Sequence, residues 1–87
     1  MKNNDKNNVI ILKALANLNR LKILKLLSVH ELNVGQLENM LELSQSALSQ
    51  HLAVLRKSKI VKTRRVAQTI FYKIDNNFVF EILKLLE

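Results

Sequence analysis

Apolar residues recur at helical spacing through the first two thirds of the chain and then fall into a strand-like pattern beyond residue 59. Val9 to Asn17 (VIILKALAN) is apolar around much of a helical circumference and predicts a first helix. Asn19 reads as the N-cap of a second, RLKILKLLS, in which Leu21, Ile23, Leu24, Leu26 and Leu27 make a wide apolar face. Glu31, Leu32 and Asn33 form a short extended link. Asn33 followed three residues later by Gln36 matches a capping box and opens a short third helix, Val34 to Leu41. Ser44 caps a fourth, QSALSQHLAVLRKS.

The period then changes. Ile60 to Val66 and Thr69 to Ile74 are rich in β-branched and aromatic residues, and only Ala67 and Gln68 separate them, which predicts a β-hairpin. That turn has neither Gly nor Asn, so a longer or irregular loop stays open. Asp75, Asn76 and Asn77 can each cap a last helix that runs to Glu87. The fold expected from this order is mainly α with a small β-hairpin wing. It is a winged helix-turn-helix of about five helices and two to three short strands. Residues 1–8 read as a flexible lead and residues 9–87 as one domain.

Composition narrows the class. Eighty-seven residues suit a single core. No apolar run approaches the roughly 18 residues that cross a bilayer, and the polar start lacks the apolar centre of a signal peptide, so the expected compartment is the cytoplasm and no membrane partner is expected. Without cysteine there is no disulfide, thiolate metal site or thiol switch. The net charge of +7 is unevenly placed. Between Leu43 and Ile74 stand Arg56, Lys57, Lys59, Lys62, Arg64, Arg65 and Lys73 with no acid, while the rest of the chain is electrically balanced. An excess gathered in one segment is the footprint expected for a polyanion.

The fourth helix supplies chemistry to match. Leu48, Leu52 and Leu55 define its buried stripe. Ser46, Gln50, Ala53 and Lys57 point the other way, flanked by Gln45 and Ser49; Gln45 and Ser46 stand at the amino-terminal tip, and the capping Ser44 counts among the DNA-binding candidates. Short hydroxyl and amide side chains both donate and accept hydrogen bonds, as base edges in the major groove of double-stranded DNA require. Arg56, Lys57 and Lys59 follow where phosphates would lie, and Arg64, Arg65 and Gln68 stand on the hairpin, suited to the backbone or minor groove. His51, about 60° from the leucine stripe, reads as a packed histidine, and His30 has no ligand partner at motif spacing. The sequence offers no metal site, no cofactor motif and no catalytic constellation, so no enzyme is expected. The other class to weigh is a winged helix that modulates a protein partner without touching DNA. Such modules tend to lose a basic wing, and this chain keeps Arg64 and Arg65.

The stretches ALANLNRLKILKLL and ELNVGQLENMLELSQSALSQHLAVLRKSKIVKTRRVAQTIFYKI resemble the ArsR/SmtB family of bacterial regulators, in particular its HlyU/BigR-like branch, and the resemblance runs from Leu12 to Leu86. It implies a dimeric winged-helix protein that binds inverted repeats at promoters, mostly as a repressor. The recognition helix is then 44–57 and the wing 62–72. It further implies dimer contacts from the first and last helices, here Ile10, Ile11, Leu15, Val79, Ile82, Leu83 and Leu86. The family's sensing positions are mostly without its ligands: Asn33, Gly35 and Glu38 stand where metal sensors have cysteine, and on the last helix Asp75 matches the family's aspartate but Asn77 stands where others have histidine. No effector is assigned.

Overall fold

Asparagine and serine side chains decide where most of the helices begin. The structure, a computed structural model, describes residues 5–87. Its helices are α1 (Asp5–Leu15), α2 (Leu18–Leu27), α3 (Val34–Leu41), α4 (Gln45–Lys57) and α5 (Asn77–Leu85). Its strands are β1 (Leu32–Asn33), β2 (Val61–Val66) and β3 (Thr69–Ile74). Each cap satisfies an amide that the helix itself leaves without a partner, worth about 1 kcal/mol. Asn33 and Gln36 exchange reciprocal bonds of 2.9 Å at the start of α3. Ser44 Oγ accepts from the Ala47 amide at 3.1 Å, and Asn76 Oδ1 from the Val79 amide at 3.1 Å.

Several boundaries differ from the sequence expectation: α1 ends at Leu15 rather than Asn17, α4 at Lys57 rather than Ser58, and β2 begins at Val61 rather than Ile60. Asn17, not Asn19, caps α2: its backbone is extended and its Oδ1 accepts from the Arg20 amide at 3.0 Å, while Asn19 lies inside the first turn. Asp5 to Asn8, expected to be a flexible lead, form the opening turn of α1; residues 1–4 of that lead lie outside the described residues. A solvent-facing polar turn carries no apolar period, and Asp5 suits the positive end of the helix dipole. Helix α5 stops at Leu85 rather than Glu87.

The sheet is antiparallel in the order β1-β3-β2. Leu32 pairs with Tyr72, and the β2–β3 ladder runs from Val61–Ile74 to Val66–Thr69. The hairpin therefore closes through the two residues Ala67 and Gln68, with Ala67 taking the left-handed conformation (φ 55°) that glycine usually supplies. The core is built from every helix: Ile23 and Leu24 of α2, Leu37 of α3, Leu48 and Leu55 of α4 and Val79 of α5 are fully enclosed, and Ala14 of α1 nearly so. Among the described residues no polar or charged side chain is buried.

Arg20 ties α1 to α2. Its Nε donates to the Ala14 carbonyl at 2.6 Å and a terminal nitrogen to the Lys13 carbonyl at 3.4 Å, so a guanidinium covers the negative end of α1. Hydrogen bonds from a charged donor contribute about 1.5–3 kcal/mol. Arg20→Met is therefore expected to lower the unfolding free energy by about 2 kcal/mol in urea titrations, with Arg20→Lys recovering part of it.

Candidate nucleic-acid interface

Helix α4 is set by its leucines. With Leu48, Leu52 and Leu55 buried, Ser46, Gln50 and Ala53 are turned to solvent, with Gln45 and Ser49 beside them. Among the described residues, the side chains of Gln45, Ser46, Ser49 and Gln50 make no intramolecular hydrogen bond. His51 is half-buried at the edge of the stripe, and His30 is exposed.

The end of α4 is locked by a Schellman motif. The Ile60 amide reaches back to the Leu55 carbonyl and the Lys59 amide to the Arg56 carbonyl, both at 3.0 Å, while the Leu55 and Ile60 side chains are buried. Lys59 occupies the left-handed position (φ 62°) where glycine is the usual residue. An exposed ammonium is thereby fixed just beyond the helix end, next to Arg56 and Lys57.

The pleat of the wing separates two arginines that are adjacent in sequence. Val61, Thr63 and Arg65 share one face with Ile74, Tyr72 and Ile70, and the burial of Val61 and Ile74 shows that this face looks inward. Tyr72 meets α4 around a groove that also includes Ser49, Ala53 and Arg56. Arg65 lies further out on that same face, its Nε donating to the Ala67 carbonyl at 3.2 Å. Arg64 is on the opposite face. Its Nε donates to Glu31 Oε1 at 2.8 Å, and its guanidinium sits 5.7 Å from the centroid of the Phe71 ring. Lys62, on the Arg64 face, pairs with Asp75 at 3.4 Å. The segment that is acid-free in sequence thus receives two carboxylates from outside itself. Arg56, Lys57, Lys59, Arg65 and Lys73 remain without an ion-pair partner among the described residues, and Gln68 is exposed in the turn.

The residues expected at a subunit interface divide. Ile11, Leu15, Val79 and Leu83 are enclosed in the protomer's own core, and Ile82 packs against it. Periodicity marked them as apolar without saying which neighbour covers them. Ile10 lines a groove against α4, and Leu86 is half exposed. The apolar residues of α1 and α5 that face outward also include Val9, Leu12, Phe78 and Leu85. Among the described residues, no group of three or more histidine or acidic side chains is placed to hold a metal, and no helix is long and apolar enough to cross a membrane.

Residues 17–63 match the sequence profile of the bacterial regulatory proteins of the arsR family, a span that takes in α2, α3, α4 and the start of β2. The chain belongs to the ArsR family. It is 51% identical over 86 residues to the transcriptional activator HlyU of Vibrio cholerae, covering 99% of this chain and 80% of that protein. The solved structure of HlyU superposes with a TM-score of 0.91 over 99% of this chain and 94% of its own. The transcriptional repressor PagR of Bacillus anthracis is 44% identical over 77 residues, covering 87% of this chain and 77% of that protein. Its structure superposes with a TM-score of 0.86 over 94% of each chain. The homodimeric winged helix-turn-helix DNA-binding domain of Mb0332 from Mycobacterium bovis superposes at 0.85 with 28% identity, over 93% of this chain and 75% of that one.

The Glu31–Arg64 contact gives a pH test. The hydrogen bond from Arg64, together with the positive charges of Arg64, Lys73 and Lys62, holds the Glu31 carboxyl below its ordinary value. A carboxylate lowered in the folded state adds stability above its unfolded value, and that stability is lost as pH falls through the folded one. Glu31→Gln is therefore expected to be less stable than the parent at neutral pH. The difference should shrink as the pH is lowered below the ordinary carboxylate range and the Glu31 carboxylate is protonated, as read by urea midpoints at neutral and at acid pH.

Proposed function

We propose that this chain is a transcriptional regulator that binds an inverted-repeat operator in double-stranded DNA as a homodimer, in the cytoplasm, without metal or cofactor. The observation that carries the reading is the face of α4. Hydroxyl and amide side chains with no internal partner stand between the helix tip and four uncommitted cations, Arg56, Lys57, Lys59 and Arg65. Base edges need the first set and phosphates the second. Helix α4 would lie in the major groove with Ser44, Gln45, Ser46, Ser49 and Gln50 toward the bases, and the wing tip at Arg65 and Gln68 would reach the flanking backbone. Residues 5–87 act as one unit for both DNA binding and dimerisation. Repression by occupying a promoter needs nothing beyond tight binding and is the outcome assigned here, although the names of the relatives include an activator as well as a repressor. A module that binds only proteins would not retain these four cations beside the amide face.

The roles separate under mutation. Gln50→Ala or Ser46→Ala should weaken operator binding by about 1–3 kcal/mol and leave random duplex unaffected. Arg65→Ala should weaken both and reduce the salt slope by about one unit, while Arg64→Ala, whose guanidinium is held by Glu31, should do distinctly less. Lys59→Gly should raise thermal stability by about 1 kcal/mol by relieving the left-handed residue, yet weaken DNA binding. Equal losses on operator and random DNA for all these variants would overturn the assignment of base readers.

For the homodimer, two-fold pairing through Val9 and Leu12 of α1 and the exposed apolar residues of α5, which leaves Ile10 on the side of α1 toward α4, would set the recognition helices about 34 Å apart, one turn of DNA. Leu85, 83% exposed, and Leu86, 51% exposed, are free to pair without disturbing the protomer. Leu85→Asp with Leu86→Asp should yield a folded monomer by sedimentation at micromolar concentration, whereas Leu83→Asp should unfold the protomer.

A further inference from the structure

Helix α1 crosses the end of α4 and leaves a two-lobed groove beside it. The lobes share Ile10, Lys57 and Ser58. One, of about 420 Å³, has Ile10, Ala14 and Val54 as its apolar floor and Lys13 and Arg20 at its rim. The other, of about 460 Å³, opens toward Lys59 and Asn76. No carboxylate lines either lobe. Ile10 is 50% exposed and Val54 40%, so two branched apolar side chains are wetted at the floor. Lys13 and Lys57 have no ion-pair partner among the described residues, and the nearby negative end of α1 is already covered by Arg20.

An apolar floor ringed by ammonium groups, within the few hundred cubic ångströms typical of ligand sites, selects a small organic anion with a hydrocarbon body. We propose that this groove binds a small amphipathic carboxylate, whose chain covers Ile10, Ala14 and Val54 and whose head group takes Lys13 and Lys57. Lys57 cannot serve a carboxylate and a DNA phosphate at once, and a chain wedged between α1 and α4 bears on the helix that holds the reading face. Occupancy therefore weakens DNA binding. That coupling rests on the DNA-binding reading; the site itself does not.

The test uses sodium decanoate below its micelle concentration, with decanol as the uncharged control and sodium chloride matched for ionic strength. Methyl resonances of Ile10, Ala14 and Val54 in the whole chain should shift saturably with decanoate, and decanol should bind about tenfold more weakly. Val54→Glu and Lys13→Gln, both at exposed positions, should each reduce decanoate affinity about tenfold. Saturating decanoate should weaken DNA binding about tenfold in the parent and leave it unchanged in Val54→Glu. Shifts located elsewhere, equal binding of decanol, methyls shielded by a second copy of the chain, or unchanged DNA affinity at saturation would each overturn the proposal. Failure of the untreated protein to bind DNA would instead defeat the earlier reading, and the methyl shifts would still decide the site.

Discussion

Burial of Leu48, Leu52 and Leu55 fixes the rotation of α4 about its own axis, and that rotation decides which side chains the protein offers to its surroundings. Three leucines at spacings of four and three cover one side of the helix, so Ser46 and Gln50 have no choice but to face outward. Burial of this size contributes about 1.5–3 kcal/mol per leucine, several times what any exposed hydrogen bond on the reading face could return. The lock at the far end uses the same currency: Ile60 folds back on Leu55, and the two backbone bonds of the Schellman motif then hold the basic end of the helix at one angle to the wing.

Strain in the backbone is concentrated around the same region. Glu42, Lys59 and Ala67 all take left-handed conformations that cost an L-residue about 1 kcal/mol each, and they stand at the turn before α4, just past its end and at the wing tip. The chain's one glycine, Gly35, is spent in the first turn of α3, where its φ is unremarkable. A charged side chain at position 59 is a weaker backbone choice than glycine and a better one for an anion nearby. Among the described residues the core carries no polar group, so the cost is met by apolar packing alone.

Charge is edited by the fold before it is presented. Glu31 and Asp75 lie outside the basic segment in sequence but reach Arg64 and Lys62 across the sheet. Both pairs are exposed and contribute little to stability. Their effect is to offset two of the three cations on one face of the wing, while Arg65 on the other face and the cations at the end of α4 keep their charge without a carboxylate partner among the described residues.

Local signals in the chain determined a good deal. Helix-cap residues, the leucine stripe, the change of period at residue 60 and the imbalance of charge are carried by neighbours within a few positions, and the order of elements follows from them. The family was legible for the same reason. What the tertiary structure decided was which apolar and charged residues are already spoken for. Val79 and Leu83 look as sticky in sequence as Leu85 and Leu86, yet the first pair closes the protomer's own core while the second faces water. Arg64 and Arg65 are equivalent as text, and only the pleat and the approach of Glu31 tell them apart. The groove beside α1 joins residues more than 40 positions apart, Ile10 and Val54, and no local pattern could have announced it. Periodicity reports that a side chain must be covered or paired; only the packed chain supplies the partner.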